Sequence, residues 1–121
     1  MKPGIKKASL VTEFSTAERC FISEIANDAD DNEVSIARAR VEPGVTTAWH
    51  KLNGITERYL IIEGEGHVEI EGLEPANVSV GDVVRIPAEH AQRITNTGKT
   101  DLVFYCICSP PFRQDCYESL E

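Results

Sequence analysis

Short runs of alternating apolar and polar residues, each ended by Gly, Pro, Asn or Asp, limit most strongly how this chain can fold. In VSIARARV (34–41) and GHVEIEG (66–72), successive side chains face opposite sides of an extended strand. Similar runs recur about every ten residues as far as residue 109, which is typical of an all-β sandwich or barrel. Helical periodicity is weak, so the pattern predicts one all-β domain.

The charge balance limits the partners that the protein can have. The 121 residues include 12 Lys and Arg against 20 Asp and Glu, a formal net charge of −8. Because a negative surface repels phosphate backbones and anionic lipid heads, we expect neither nucleic-acid nor membrane binding. No run approaches the ~20 apolar residues of a membrane-spanning helix. The basic N-terminus lacks the apolar stretch of a signal peptide, so a cytoplasmic location is expected.

The four cysteines are expected to be reduced thiols. Cys106 and Cys108 lie two residues apart on a predicted strand and share a face, so a bond between them would need a distorted backbone. A zinc site that combines them with Cys116 is not favoured, because the spacing is not the paired kind found in structural zinc sites.

Two groups of residues have the order and spacing of a known pair of motifs. The first group is Gly44, His50, Leu52, Glu57 and Gly64, and the second is Gly81, Pro87, Gln92 and Asn96. They resemble the two motifs of the cupins, and the chain is most similar to small one-domain cupins, some of which accompany polyketide biosynthesis. The resemblance implies a single-domain jelly-roll β-barrel, the double-stranded β-helix of cupins, over residues 21–112.

The resemblance also divides the rest of the chain. Residues 1–20 form an N-terminal arm and residues 113–121 a polar surface tail with a short helix. Similar cupins are commonly dimers, so a homodimer is expected in which the arm contacts the second copy. Such a contact would protect exposed sheet edges.

A divalent metal ion inside the barrel is a further implication of the resemblance. The usual ligands are two histidines and a glutamate of the first motif and one histidine of the second. His50 and Glu57 stand at matching positions, whereas Leu52 and Gln92 replace two histidines. An imidazole and a carboxylate suit Zn, Fe, Mn or Ni, but an amide oxygen is a weak ligand. His50, Glu57 and Gln92 are therefore predicted to hold a metal ion, to anchor a small molecule without metal, or to have a purely structural role.

Glu57 and Tyr59 are the predicted catalytic residues. His50 and Glu57 converge if the strand that carries Glu57 turns back beside the strand that carries His50. A buried carboxyl group has a raised pKa, and beside an imidazole it forms an acid–base pair. Tyr59 shares the face of Glu57 and is predicted to place its hydroxyl in the same cavity.

Five further residues are predicted to line the pocket: Leu52, His90, Ile94, Phe104 and Cys106. Leu52 shares the face of His50, and Ile94 shares that of Gln92. His90 either points into the barrel mouth as a further donor or lies solvated in an exposed loop. Both faces of the last strand are apolar, and the face of Phe104 and Cys106 is taken as the inner one because similar small cupins place a cysteine or small residue there.

Three functions fit this sequence. The first is a metal-dependent enzyme that acts on an organic metabolite of secondary metabolism. The second is a non-catalytic cupin that binds a small molecule at a degenerate metal site, which Leu52 favours because it makes the cavity drier. The third is an accessory protein for a biosynthetic partner.

Overall fold

The chain forms two facing antiparallel β-sheets, joined by short turns and accompanied by two single-turn 3-10 helices. A computed structural model describes all 121 residues. The strands are β1 (Phe14–Ser15), β2 (Phe21–Ala26), β3 (Ser35–Val41), β4 (His50–Leu52), β5 (Thr56–Glu63), β6 (Glu65–Ile70), β7 (Ala76–Ser79), β8 (Val83–Ile86), β9 (Gln92–Asn96), β10 (Leu102–Ser109) and β11 (Tyr117–Ser119). The predicted all-β jelly-roll fold is confirmed. None of the helical segments has the length and apolar character of a transmembrane helix.

The six-stranded sheet, in the order β1-β2-β3-β10-β5-β8, supplies most of the cavity wall. Its register aligns three rows of side chains, which are Ala39–Phe104–Ile61, Ala37–Cys106–Tyr59 and Ser35–Cys108–Glu57. The members from β3 are only alanine or serine, so they leave space in front of the larger side chains of β10 and β5. The alternation of β3 sends its two arginines to the opposite, outer face.

The five-stranded sheet has the order β11-β4-β9-β6-β7 and forms the opposite wall. Gln92 at the start of β9 lies opposite His50 of β4 on one side and Ile70 of β6 on the other. His50 also lies opposite Ser119 of β11, so the short strand β4 is paired on both of its edges. This double pairing fixes the backbone that carries His50.

Two apolar clusters border the cavity. The main cluster has twelve buried residues, and Ile61, Ile94 and Leu102 in it are at most 1% exposed. The smaller cluster joins Leu52, Ile55 and Cys108, with side chains of the C-terminal segment packed against it. Because the cavity wall includes members of both clusters, the cavity lies between them. Each large apolar side chain buried in this way stabilises the fold by roughly 1.5–3 kcal/mol.

Gly64 connects β5 of one sheet to β6 of the other. Its φ is +79°, and a Cβ atom there would lie 2.6 Å from the carbonyl oxygen of Asp101. Glycine has no Cβ atom and adopts positive φ without a steric penalty. The crossing between the sheets at this point therefore requires glycine.

Both ends of the chain add a strand. β1 pairs with β2 at the edge of the larger sheet, and the last residues form a 3-10 helix (Gln114–Cys116) followed by β11. The sequence predicted a surface tail with a short helix over 113–121 but not β11, whose pattern of alternation spans only three residues. The division at residues 20 and 112 and the homodimer through the arm stay predictions.

Candidate functional site

A cavity of about 120 Å³ lies between the two sheets. Three carboxyl groups stand in its wall, those of Glu18, Glu24 and Glu57, together with the imidazole of His50 and the phenol of Tyr59. No Lys or Arg is among the lining residues. The cavity wall is therefore mainly apolar with several acidic groups, and the cavity is large enough for water or for part of a small organic molecule.

His50 is held with one ring nitrogen occupied and the other free. Its Nδ1 lies 2.8 Å from the carbonyl oxygen of Ala48. Because a carbonyl only accepts, Nδ1 carries the hydrogen, and Nε2 of the neutral ring has a lone pair. The ring is stacked on Tyr117 of β11, with 4.9 Å between the ring centroids. Nε2 makes no hydrogen bond within the protein, and no fully buried side-chain nitrogen or oxygen lacks a partner, so Nε2 reaches the cavity space.

Glu57 faces this imidazole from the other sheet. The sequence interpretation placed the two on neighbouring strands, but β4 and β5 belong to different sheets. The Asn53–Gly54 turn, in which Gly54 has φ +74°, carries the chain across the barrel. His50 and Glu57 therefore approach the cavity from opposite walls rather than side by side.

Glu57 is only 8% exposed, and its carboxyl group accepts two hydrogen bonds. Gln92 Nε2 donates to Oε1 at 2.9 Å, and the Cys108 thiol donates weakly to Oε2 at 3.6 Å. Burial raises the pKa of Glu57, and the amide of Gln92 and the nearby imidazole of His50 only partly offset this. The group therefore holds its proton to a higher pH than an exposed glutamate.

Gln92 joins Glu57 to Tyr59. The Tyr59 hydroxyl donates to Gln92 Oε1, while Gln92 Nε2 donates to Glu57. Gln92 is 1% exposed and lies behind these two side chains rather than in the cavity wall. Tyr59 is also buried, and burial raises the pKa of its phenol, which keeps it a hydrogen-bond donor. The chain Tyr59–Gln92–Glu57 fixes the orientation of the carboxyl group.

Glu18 and Glu24 were not among the predicted site residues. Glu24 lies on β2, and Glu18 precedes that strand, beside Arg19 with φ +69°. Burial raises the pKa of both carboxyl groups, and for Glu18 a protonated His50 ring would partly offset this. The alternation from Cys20 to Ile25 was a signal for an inward Glu24. No sequence pattern pointed to Glu18, because an irregular turn positions it.

Three of the four cysteines, Cys20, Cys106 and Cys108, line the same cavity, and none of the four forms a disulfide. Burial raises the pKa of each of these three thiols, to about 11 for Cys20. They are therefore protonated and weakly nucleophilic at neutral pH. Phe104 lies beside Cys106 in the cavity wall and packs on Tyr59, with 4.4 Å between the ring centroids.

The other three predicted pocket residues lie outside the cavity wall. Leu52 packs in the smaller apolar cluster, and Ile94 packs in the main cluster with no exposed surface. His90 is half-buried, and its Nδ1 lies 3.1 Å from the carbonyl oxygen of Ala88. His90 is thus tied to its own loop rather than directed at Glu57.

The donors do not fit a resident metal ion in this arrangement. No group of three or more His, Cys, Asp and Glu side chains is placed to hold one. The oxygen of Gln92 accepts from Tyr59, and its amide nitrogen faces Glu57, so the amide presents no free oxygen to the cavity. His50 and Glu57 are then the only predicted ligands that remain, whereas a catalytic zinc site uses three protein ligands.

Comparison with known proteins relates the chain to one family. Residues 37–108 match the model of the cupin domain. An uncharacterized protein of Methanocaldococcus jannaschii is 34% identical over 87 residues, which are 72% of this chain and 69% of the relative. An oxalate-binding protein of Thermotoga maritima is 32% identical over 84 residues, 69% of each chain.

Three solved structures of two proteins show the same fold. A predicted oxalate decarboxylase from Thermotoga maritima superimposes with a TM-score of 0.78 at 25% identity, over 88% of this chain and 99% of that one. Streptomyces Pac13 with uridine superimposes with a TM-score of 0.81 at 13% identity, over 100% of this chain and 93% of that one. A second Pac13 structure describes that protein as a nucleoside dehydratase and has a TM-score of 0.81 at 12% identity, over 99% and 92% of the two chains.

Proposed function

The chain belongs to the cupin family, and we propose that its cavity binds a small organic molecule and transfers protons on it through His50 and Glu57. One observation supports this proposal above all others. A free imidazole nitrogen and a buried carboxyl group with a raised pKa face the same small cavity. An acid and a base with different proton affinities, placed around one bound molecule, are the usual elements of general acid–base catalysis.

The tautomer of His50 sets the direction of transfer. Nδ1 keeps its hydrogen on the Ala48 carbonyl, so Nε2 acts as the base and removes a proton from a carbon of the ligand. Protonated Glu57 donates its proton to an oxygen of the same ligand. If that oxygen is a carbonyl, an enol forms, and protonation of a different carbon with loss of an O–H proton completes an isomerisation. If it is a hydroxyl on the neighbouring carbon, the C–O bond breaks, a C=C bond forms and water leaves. The resulting imidazolium and carboxylate return to their starting forms by exchanging a proton through solvent.

Tyr59 is a positioning residue in this proposal. Its hydroxyl hydrogen is directed at Gln92 rather than at the cavity, and Gln92 in turn donates to Glu57. These contacts hold one carboxyl oxygen against Gln92 and leave the other beside the weak donor Cys108. The second oxygen is therefore the one that exchanges protons with a ligand.

The related proteins support parts of this proposal only. Pac13, described as a nucleoside dehydratase, shows that this fold serves an enzyme that eliminates water. Oxalate, which the Thermotoga maritima relative is named for binding, is a dianion, and the cavity wall offers three carboxyl groups and no Lys or Arg to it. We therefore do not propose oxalate as the ligand. No step is assigned to a metal ion, because the donors do not fit one.

Hydrogen–deuterium exchange on a bound metabolite tests the function at its first chemical step. Small polar metabolites that raise the melting temperature of the protein are incubated with it in D₂O, and loss of their C–H signals is followed by NMR. We expect His50→Gln and Glu57→Gln each to slow exchange by about 10²–10⁴-fold. The matched controls are His67→Gln and Glu63→Gln, which change the same residue types outside the cavity wall and should exchange at the wild-type rate.

Two results would contradict the proposal. Wild-type protein that binds a metabolite without exchange or conversion would be a binding module, the function that Leu52 favours in the sequence. Activity that disappears after dialysis against a chelator and returns with Zn, Fe, Mn or Ni would instead show a metal-dependent reaction.

A further inference from the structure

We propose that the cavity selects an organic cation, a small ammonium or guanidinium compound, and that Glu18 and Glu24 determine this selectivity. The inference rests on the proposed function only in using the same cavity and the same protonated Glu57. It concerns the charge of the ligand and not the reaction performed on it.

The cavity wall carries negative groups without matching positive ones. Glu18, Glu24 and Glu57 line it, and no Lys or Arg does. The arginines of the nearby strands are outside. Arg40 of β3 pairs with Glu13, and Arg93 of β9 pairs with Glu69. With Glu57 protonated, as the proposed function has it, Glu18 and Glu24 are the charged carboxyl groups of the wall, and no Lys or Arg neutralises them there, so a cationic ligand would be electrostatically complementary to the cavity.

Glu18 and Glu24 are also partly removed from water by the protein. Burial raises the pKa of both carboxyl groups. A bound cation would favour the ionised forms, so part of the unfavourable energy of burying these charges would be offset on binding. A bound anion would instead increase this unfavourable energy.

A second observation independently indicates a ligand. His50 is only 5% exposed, and its Nε2 has no protein partner but reaches the cavity. A lone pair held in this way is complementary to an N–H donor, which every alkylammonium or guanidinium carries. Four aromatic rings also line the cavity, those of Phe14, Tyr59, Phe104 and Phe112. Aromatic faces attract organic cations within about 6 Å.

The volume limits the size of the bound part. About 120 Å³ is space for several water molecules. A short or cyclic aliphatic amine fits this space, whereas a longer molecule would extend through the cavity mouth. The cation is therefore expected to be small and compact.

Three probes with one carbon frame test the charge preference: cyclopentylammonium, cyclopentanol and cyclopentanecarboxylate. At about pH 8 the amine is cationic, as a lysine side chain is. Binding is measured from the NMR shifts of the His50 ring protons during titration. We expect the ammonium to bind about tenfold or more tightly than the alcohol, which corresponds to 1.4 kcal/mol, and the carboxylate to bind least.

Substitutions in the cavity wall test which residues cause the preference for ammonium over alcohol. Glu18→Gln and Glu24→Gln should each reduce the ammonium-to-alcohol ratio by at least about threefold, since each removes one charge but keeps the shape. Glu63→Gln, whose side chain is exposed at the end of β5, should leave the ratio unchanged. Circular dichroism and melting temperature show that each variant is folded.

Three outcomes would overturn the inference: equal binding of alcohol and ammonium, preference for the carboxylate, or no ammonium binding to folded wild-type protein. Its failure differs from failure of the proposed function, because binding is measured without turnover. Cation-selective binding without proton exchange would leave this inference standing and refute the acid–base reaction.

Discussion

The amide of Gln92 is the structural link between the two sheets at the candidate site, and its replacement by leucine gives a quantitative test of the structure. Leucine has a similar size but cannot form hydrogen bonds. In Gln92→Leu, the Tyr59 hydroxyl loses its acceptor and Glu57 Oε1 loses its donor. Both residues are buried, so neither group gains full access to water in exchange.

The expected loss of stability follows from counting unpaired groups. A buried polar group without a partner costs about 1–3 kcal/mol, so Gln92→Leu should lower the free energy of unfolding by about 2–6 kcal/mol. Tyr59→Phe leaves only the Gln92 oxygen unpaired and should cost about 1–3 kcal/mol. Typical domains have about 5–15 kcal/mol of stability, so both variants are expected to fold.

The double variant measures the coupling energy of the hydrogen bond between Tyr59 and Gln92. Tyr59→Phe combined with Gln92→Leu leaves only Glu57 Oε1 unpaired, so its cost should be lower than the sum of the single costs by two unpaired groups, about 2–6 kcal/mol. Urea unfolding is followed by the fluorescence of Trp49, the single tryptophan of the chain.

A matched cycle provides the control. Tyr105 lies on the same strand as Phe104 but on the other face, and its hydroxyl makes no hydrogen bond to Gln92. Tyr105→Phe and Gln92→Leu should therefore be additive within about 0.5 kcal/mol. The same additivity for Tyr59 and Gln92 would refute the hydrogen-bonded chain that orients Glu57.

Three further predictions concern pH, the C-terminal strand and one turn. The folded state raises the pKa of Glu57 above the ordinary 4.5, so the folded protein keeps a proton that the unfolded chain releases. The free energy of unfolding should therefore fall as pH rises above 4.5. Glu57→Gln should flatten this pH dependence, which urea unfolding at several pH values measures. Tyr117→Ala should cost about 1–3 kcal/mol and shift the NMR signals of the His50 ring, whereas Tyr117→Phe, which keeps the stacked ring, should change stability by less than about 0.5 kcal/mol. Gly64→Ala should lower the melting temperature more than Gly72→Ala, since both have positive φ but only the Cβ at 64 would meet backbone; equal effects would contradict the close approach.

Strand alternation and motif spacing predicted much of the site. The structure brings His50, Glu57, Tyr59 and Gln92 together, because a side chain's face along a strand follows directly from its position in the sequence. Alternation does not say which sheet a strand joins. The Asn53–Gly54 turn leads the chain from one sheet to the other, and Glu57 therefore lies opposite His50 instead of beside it.

Alternation also does not give the height of a residue along the barrel. Leu52 and Ile94 continue the strands of His50 and Gln92 with the same parity, yet each packs in an apolar cluster beyond the cavity wall. Whether an inward side chain meets open space depends on the size of the residues opposite it. Here the space exists where β3 contributes Ser35 and Ala37, a condition that involves two distant segments of the chain.

The acidic character of the cavity arises from the same two-residue period. On β3 the small residues face inward and the arginines outward, so one shift of register would exchange them and place positive charge inside. Glu24 and Glu57 occupy inward positions on the two strands that flank this part of the sheet, and Glu18 adds a third carboxyl group from an adjacent turn. The face that each Glu or Arg occupies depends on the alternation of its own strand. The inward carboxyl groups and the outward arginines therefore do not follow from the net charge of the chain alone. This arrangement places acidic groups and a free imidazole nitrogen inside the barrel, and binding of a cationic molecule would use both.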